Sequence, residues 1–215
     1  MIVLIGCEFS GVVRRAFARR GHFAISVDLL PAEDGAGWGT NDYSLGWHYQ
    51  GDLIDFLYND CMGIRENGEF DLGIFHPECT YLCNSGVRWL FDPFMRKQQE
   101  RWEKLDKAAE FYKKCREAPI KRKAVENPRM HKYAIERIGS KATQFIQPWQ
   151  FGHGEIKATG LELINLPELK PTNIVDGRVA RVHRAAPGPD RWKERSRTLE
   201  GIGEAMAEQW GTLND

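Results

Sequence analysis

The stretch "IVLIGCEFSGVVRRAFARRGHFAISVD" (Ile2 to Asp28) holds a strand, a turn, a helix and a second strand in 27 residues. "IVLI" is a short, fully apolar run of the kind buried on both faces of a parallel sheet. It ends in the turn "GCEFSG". "VVRRAFARRG" follows with amphipathic helical spacing and closes on Gly21, and "HFAISVD" is the next strand, ending in Asp28.

The same alternation continues along the chain. Residues 32 to 50, rich in Gly, Asp and Trp, read as an irregular loop. "DLIDFLYND" is a short helix, and "FDLGIF" is a buried strand. Pro93 suits the first turn of a long helix in which Trp102, Leu105, Ala109, Tyr112 and Cys115 share one face. "KAVEN" is a strand, and Pro128 is expected to start a helix carrying Met130, Tyr133, Ala134 and Ile138. "QFIQPW" and "ATGLELI" are further strands, and "TLEGIGEAMAEQWG" is a last helix capped by Thr198. Strands alternating with helices specify an α/β protein: an open, mostly parallel sheet with helices on both faces. Ligands of such sheets bind at the carboxyl ends of the strands.

Composition narrows the function classes. The 215 residues suit one α/β domain, with 42% hydrophobic and 28% charged residues. No apolar run approaches the ~18 residues of a membrane span, and the N-terminus lacks a signal peptide's basic region, so no membrane partner and a cytoplasmic location are expected. Thirty basic and thirty acidic residues leave no net charge to argue from. Lys114 to Lys123 reads as a solvated face. Arg178 to Arg197 is arginine-rich and carries Trp192, and phosphate contact and simple solvation are equally open there. The five cysteines, Cys7, Cys61, Cys79, Cys83 and Cys115, form no disulfide framework. His76, Cys79 and Cys83 lack zinc spacing and a fourth ligand, so no metal is expected.

The unusual residues stand at the strand exits. Gly6-Cys7-Glu8-Phe9-Ser10-Gly11 is a strand-to-helix turn whose glycines and helix N-terminus could face a ligand. Without the full GxGxxG spacing it is equally a plain tight turn. Asp28, at the second strand exit, is placed for a ribose hydroxyl pair. Asp52 is either a similar acid or a helix cap. Such a turn suits a nicotinamide dinucleotide as well as S-adenosylmethionine. Cys79, behind Pro77-Glu78, and Glu126 then offer a nucleophile and an acid. Cytosine-5 methylation needs that pair, because carbon 5 becomes nucleophilic only after a thiolate adds at carbon 6 and an acid engages N3. Alone, Cys79 would read as an inert, half-buried thiol. Trp38, Trp47, Trp89 and Phe9 are open between ligand stacking and packing.

Read in order, these segments resemble the cytosine-5 DNA methyltransferase family, in the short form found in phages and prophages. "IGCEFSGVVRRAF" resembles its S-adenosylmethionine loop, "SVD" its acid-tipped second strand and "GD" at Gly51-Asp52 its third. "HPECTYLCNSG" resembles the catalytic Pro-Cys motif and "VENP" the Glu-Asn motif. "FGHGEIKATGLEL" resembles the segment that usually carries Gln-x-Arg-x-Arg, and "GIGEAMAEQW" the closing motif. The resemblance covers most of the chain. It implies a Rossmann-like S-adenosylmethionine-dependent methyltransferase fold, and a single methyltransferase domain over 1–215. Cys79 is then the nucleophile, Glu126 the acid, Asn127 its supporting amide, and Lys157 the remaining cation of the arginine pattern. Gly6, Glu8, Phe9, Ser10, Gly11, Asp28, Leu29, Asp52 and Pro77 would hold the cofactor. DNA, duplex or single-stranded, is the implied partner in a bacterial or phage-infected cell, with flipping of a duplex cytosine. A free pyrimidine nucleotide, or nucleic-acid or protein binding without catalysis, are the alternatives.

Three departures from the family pattern carry expectations. Glu78 replaces a second proline or small apolar residue, and a carboxylate beside the thiol should raise its pKa. Glu155, Lys157 and Thr159 stand at the Gln-x-Arg-x-Arg positions, so an arginine fork is reduced to a point charge. The target-recognition region shrinks to a small basic insertion, 166–197. There Arg178, Arg181, Arg184, Arg191, Lys193 and Arg195 suit phosphates better than base edges, so low sequence specificity or a short site is expected.

Overall fold

The computed structural model describes residues 1–59, 70–184, 188 and 191–213. Cys61 lies outside them. Seven strands, β1 (Ile2–Gly6), β2 (Phe23–Asp28), β3 (Trp47–Gln50), β4 (Leu72–Phe75), β5 (Arg122–Pro128), β6 (Gln144–Ile146) and β7 (Thr159–Ile164), form one sheet in the order β3-β2-β1-β4-β5-β7-β6. The first five run parallel, and β7 pairs antiparallel with both β5 and β6. The helices are α1 (Val12–Ala18), α2 (Leu53–Tyr58), α3 (Gln99–Glu117), α4 (Lys132–Ile138), α5 (Arg181–Arg184), α6 (Arg191–Ser196) and α7 (Glu200–Trp210).

The period-2 alternation of β1 divides the core. Val3 and Ile5 pack with Val13 and Phe17 of α1 and with Ile202, Met206 and Trp210 of α7. Leu4 faces the other way, toward Leu53 and Phe56 of α2, Leu105 and Tyr112 of α3 and Ile138 of α4. Both faces of the sheet are therefore covered, as a parallel sheet requires.

Register decides what meets at the carboxyl edge. Gly6 is level with Val27 and with Phe75, and Phe75 is level with Val125. The next residues, Cys7, Asp28, His76 and Glu126, thus stand in one row. On the far side, antiparallel β7 begins at Thr159 opposite Pro128, which delivers Lys157 and Thr159 to the same edge.

Five local expectations are corrected. Trp47–Gln50 is the edge strand β3, not loop; its apolar cues are aromatics that pack laterally, with Trp47 against Phe23 and Trp38. Helix α3 begins at Gln99, because the Asp92 carboxylate accepts the N–H groups of Phe94 and Arg96 and closes a turn around Pro93. Pro128 ends β5 instead of opening a helix, and α4 starts after His131, whose Nδ1 accepts from the Ala134 N–H. Leu199, not Thr198, occupies the α7 cap position and makes no side-chain cap bond. The insertion 166–197 contains two short helices, α5 and α6, that periodicity did not show.

The turn after β1 is anchored by a buried ion cluster. Arg14, fully buried, donates to Ser26 Oγ, to the Leu45 carbonyl and to Asp34, which also receives Arg15. Burial raises the Asp34 carboxyl, but hydrogen bonds from Arg14 and Arg15 outweigh it and hold it below the usual range. Asp34→Ala leaves Arg14 buried and uncompensated, and should cost about 3 kcal/mol in chemical denaturation. A depressed carboxyl contributes stability above its unfolded pKa and loses it as pH falls through the folded value. The cost of the substitution should therefore shrink below roughly pH 4.

Candidate active site

Cys79 leaves β4 through His76 and buried Pro77, and the backbone folds so that the N–H groups of Leu82 and Cys83 both donate to the Cys79 carbonyl. This turn is stitched to the segment that follows Glu126. His131 Nε2 donates to the Tyr81 carbonyl at 2.9 Å, its backbone N–H donates to the Leu82 carbonyl, and the Asn84 N–H donates to the Arg129 carbonyl. Two strand exits about fifty residues apart in sequence are thereby held together. Cys79 and Glu126 share one site.

Glu126 is paired with His76, whose Nδ1 lies 3.1 Å from Glu126 Oε2. Burial pushes the Glu126 carboxyl up. The His76 hydrogen bond and the charges of His76 and Lys157 outweigh burial and hold the carboxyl below its usual value. His76, Glu126, Lys157, Thr159, Arg197 and Thr198 line one cleft, with the first turn of α7 as its wall. Lys157 is oriented by its Nζ donating to the Arg197 carbonyl at 3.0 Å. Glu155, two residues earlier, pairs outward with Arg181. Asn127 is buried, and neither amide atom has a partner among the described residues.

The two cysteines of the turn titrate together. A Cys79–Cys83 hydrogen bond, burial and the charges of Cys83 and Glu126 push the Cys79 thiol far up, while Lys157 opposes. The same hydrogen bond, with the Ser85 hydroxyl at 3.0 Å and the Ser85 and Gly86 N–H groups, holds Cys83 well down. Of the two, Cys83 is the more acidic thiol, because the donors converge on it. Glu78 points into solvent. The upward shift expected at Cys79 is present, but its sources are Cys83, burial and Glu126.

At the other end of the row, Asp28 caps the Leu30 N–H at 2.9 Å, and burial pushes its carboxyl up against that bond and against His48 and His76. Leu29 beside it is 70% exposed. A network from Arg14 through Ser26 and His48 to the Leu30 carbonyl fixes this tip. Asp52 caps α2, its Oδ1 accepting from Ile54 and Asp55. Cys7, at φ 60°, faces both acids, and its thiol is pushed well up by burial, then by Cys115, Asp28 and Asp52.

Two parts of the glycine-turn reading are corrected. The α1 N-terminus is not open, since the Glu8 carboxylate takes the N–H groups of Val13 and Arg14 at 2.7 and 3.1 Å. Gly6 is required by packing: a Cβ there would meet Phe75 at 2.6 Å and Leu53 at 2.7 Å. Gly11 has φ 69°, which favours glycine, and Ser10 and Phe9 are buried beside it.

The basic insertion lies against this turn. Trp192 of α6 packs on Phe9 with ring centroids 6.0 Å apart, and Arg197 pairs with Glu33. Arg178 stacks over Trp149 and donates to the Val175 and Gly177 carbonyls, while Arg181 is engaged by Glu155. Arg184 and Lys193 lie on α5 and α6, and Arg191 and Arg195 bury their Nε atoms. Trp38 and Trp47 belong to an aromatic cluster with Tyr49 and Phe56, whereas Trp89 is exposed under the Arg88 guanidinium. Sequence reasoning missed His76 as the partner of Glu126, and Arg197 and Thr198 as cleft residues. The only local signal for His76 was a polar residue directly after a buried strand.

The strand order with its reversed β7 is the Rossmann-like arrangement of the methyltransferase fold. Among solved structures, the chain is similar to one from E. coli provisionally described as a DNA modification methyltransferase encoded within a prophage. The TM-score is 0.49 and the identity 17%, over 87% of this chain and 56% of that one. No family model and no curated protein matches the chain.

Proposed function

We propose that this protein transfers a methyl group from S-adenosylmethionine to carbon 5 of cytosine in DNA, through a covalent bond to Cys79. The observation that carries the reading is the convergence of Cys79, Glu126, His76 and Lys157 on one edge of this fold. Fold alone does not assign a reaction, but a thiol, a buried acid and a cation at the strand exits match what cytosine activation requires. The Cys79 sulfur bonds to ring carbon 6 as its S–H bond breaks and the proton passes to solvent water. Glu126, with Asn127 beside it in β5, protonates N3, and Lys157 stabilises charge developing on the pyrimidine. After methylation water takes the carbon 5 proton, and the carbon 6–sulfur bond breaks as the carbon 5–carbon 6 double bond re-forms. The N3 proton returns to Glu126, and the Cys79 thiolate is reprotonated from water.

S-adenosylmethionine, when bound, supplies the methyl group as an electrophile. The residues present fit it: two acids, Asp28 and Asp52, flank a site where Leu29 offers exposed apolar surface. Asp28 and Leu29 would take the ribose and adenine, with Asp52 near the adenine amino group. Gly6, Glu8, Phe9, Ser10, Gly11 and Pro77 shape the turn behind them. Asp28→Ala should weaken S-adenosylmethionine binding by about tenfold or more in calorimetry, the loss of a charge-assisted hydrogen bond. Unchanged binding would remove Asp28 from the cofactor site.

The chain is read as one methyltransferase domain over 1–215, with 166–197 as a small basic target-recognition-like insertion. Arg178, Arg181, Arg184, Arg191, Lys193 and Arg195 are its candidate phosphate contacts. A second reading, methylation of a free pyrimidine nucleotide, is favoured by one observation: Arg178 and Arg181 are engaged within the protein. Incubation with tritiated S-adenosylmethionine and, in turn, duplex DNA, single-stranded DNA and dCMP separates the readings. Label recovered as 5-methylcytosine from DNA supports the first, and label confined to dCMP supports the second. Label in neither leaves a binding protein.

A further inference from the structure

Glu126 presents a chemical difficulty. Thiol addition to carbon 6 drives electron density toward N3, which must take a proton, and an ionised carboxylate has none to give. The site nevertheless favours the ionised form: burial pushes the Glu126 carboxyl up, but the His76 hydrogen bond and the charges of His76 and Lys157 outweigh it. The proton has to be stored nearby and delivered as cytosine enters. Among the described residues, the neighbour within hydrogen-bond reach of Glu126 that can carry a transferable proton is His76. His76 Nδ1 stands 3.1 Å from Glu126 Oε2, with 8% and 15% of the two side chains exposed.

We propose that His76 is the proton store of Glu126, passing its Nδ1 proton to the carboxylate when the base binds and recovering it on product release. This role rests on the cytosine reading above. The step balances: the Nδ1–H bond breaks as the Oε2–H bond forms, Glu126 gives its proton to N3, and the proton returns to the pair when Cys79 is expelled.

The surroundings support such a role over simple packing. His76 is the residue before Pro77, which restricts its backbone to extended conformations, and its N–H is fixed on the Gly6 carbonyl. The backbone that carries the ring is therefore fixed, and the Nδ1 contact with Glu126 orients the ring. Its Nε2 is buried and has no partner among the described residues, which is unusual for a purely structural histidine. Charged groups face the pair from every side of the cleft. Glu126 comes from β5 and Asp28 from the tip of β2. Lys157 approaches ahead of β7, Arg197 ahead of α7, and Cys79 from the adjoining turn. A proton passed from His76 to Glu126 leaves the net charge of the pair unchanged.

His76→Asn tests the role, because asparagine keeps an N–H donor toward Glu126 but has no proton to surrender. The probe is a duplex carrying 5-fluorocytosine, which traps the Cys79 adduct. Wild-type adduct formation should slow as pH rises and the pair empties. In H76N it should be about 100-fold slower. Its alkaline decline should begin at least one pH unit lower, since only the carboxyl remains to hold the proton. S-adenosylmethionine affinity and Tm should be unchanged. An H76N profile that superimposes on the wild type, or a rate loss explained by a lower Tm, would show a structural role. Independently of any variant, a wild-type rate that stays flat from about pH 6 to about pH 9 would overturn the proposal. Failure of the wild type to form any adduct would instead overturn the cytosine reading, so the two failures are distinct.

Discussion

Cys79→Ser is expected to abolish the covalent adduct with 5-fluorocytosine DNA and to reduce methyl transfer at least ~1000-fold, while the folded state persists. Fluorine blocks the final loss of the carbon 5 substituent, so the trapped bond reports the nucleophile directly. The contrast with Cys83→Ser is informative, because hydrogen bonds hold the Cys83 thiol well down relative to Cys79. Charge alone would nominate Cys83. Position favours Cys79, which experiences both Glu126 and Lys157, whereas Cys83 is buried and saturated by Ser85 and Gly86. A charge held by four donors is a poor nucleophile and a weak base. Cys83→Ser should therefore leave adduct formation in place, and peptide mapping should place the base on Cys79. An adduct on residue 83 would reverse the assignment.

Glu126→Gln should lower turnover by about 10² to 10⁴ with little change in S-adenosylmethionine affinity. The amide is isosteric and still donates to N3, but it cannot transfer a proton, so the effect should fall on kcat and leave KM for the base nearly unchanged. Stability should barely change. The Glu126 carboxyl is depressed by His76 and Lys157, so its pairing stabilises the fold above the unfolded carboxyl pKa and is lost as pH falls through the folded value. The wild type should thus show a modest advantage over Glu126→Gln near neutral pH that vanishes in acid. Loss of stability without loss of turnover would mean that Glu126 is a packing residue.

The α/β class and the central strands were legible because their cause is local. An apolar run of four to six residues between turn residues is too short for most helices and suits a buried strand, and Gly21, at φ 81°, takes the left-handed turn just past the end of α1. The positions of Cys79 and Glu126 at strand exits followed from the same reasoning, since an exit is simply where an apolar run stops. Less legible were elements whose signal comes from lateral partners. Trp47–Gln50 looks like loop until Phe23, Trp38 and Phe56 are seen to cover it. Pro93 and Pro128 carried helix-start signals that Asp92 and the β7 pairing overrode.

The chemistry within the cleft belongs to a different scale. Residue types and their order carry a thiol, an acid and a cation to one edge of a parallel sheet, and that is all that one-dimensional spacing can convey. The state of each group depends on contacts between distant segments: His76 on Glu126, His131 on the Tyr81 carbonyl, Lys157 on the Arg197 carbonyl. Likewise Glu8 closes a helix end that looked open, and Glu155 and Glu33 occupy arginines that looked available. Electrostatic energies vary with separations of an ångström and with burial, both of which are set by packing rather than by position along the chain.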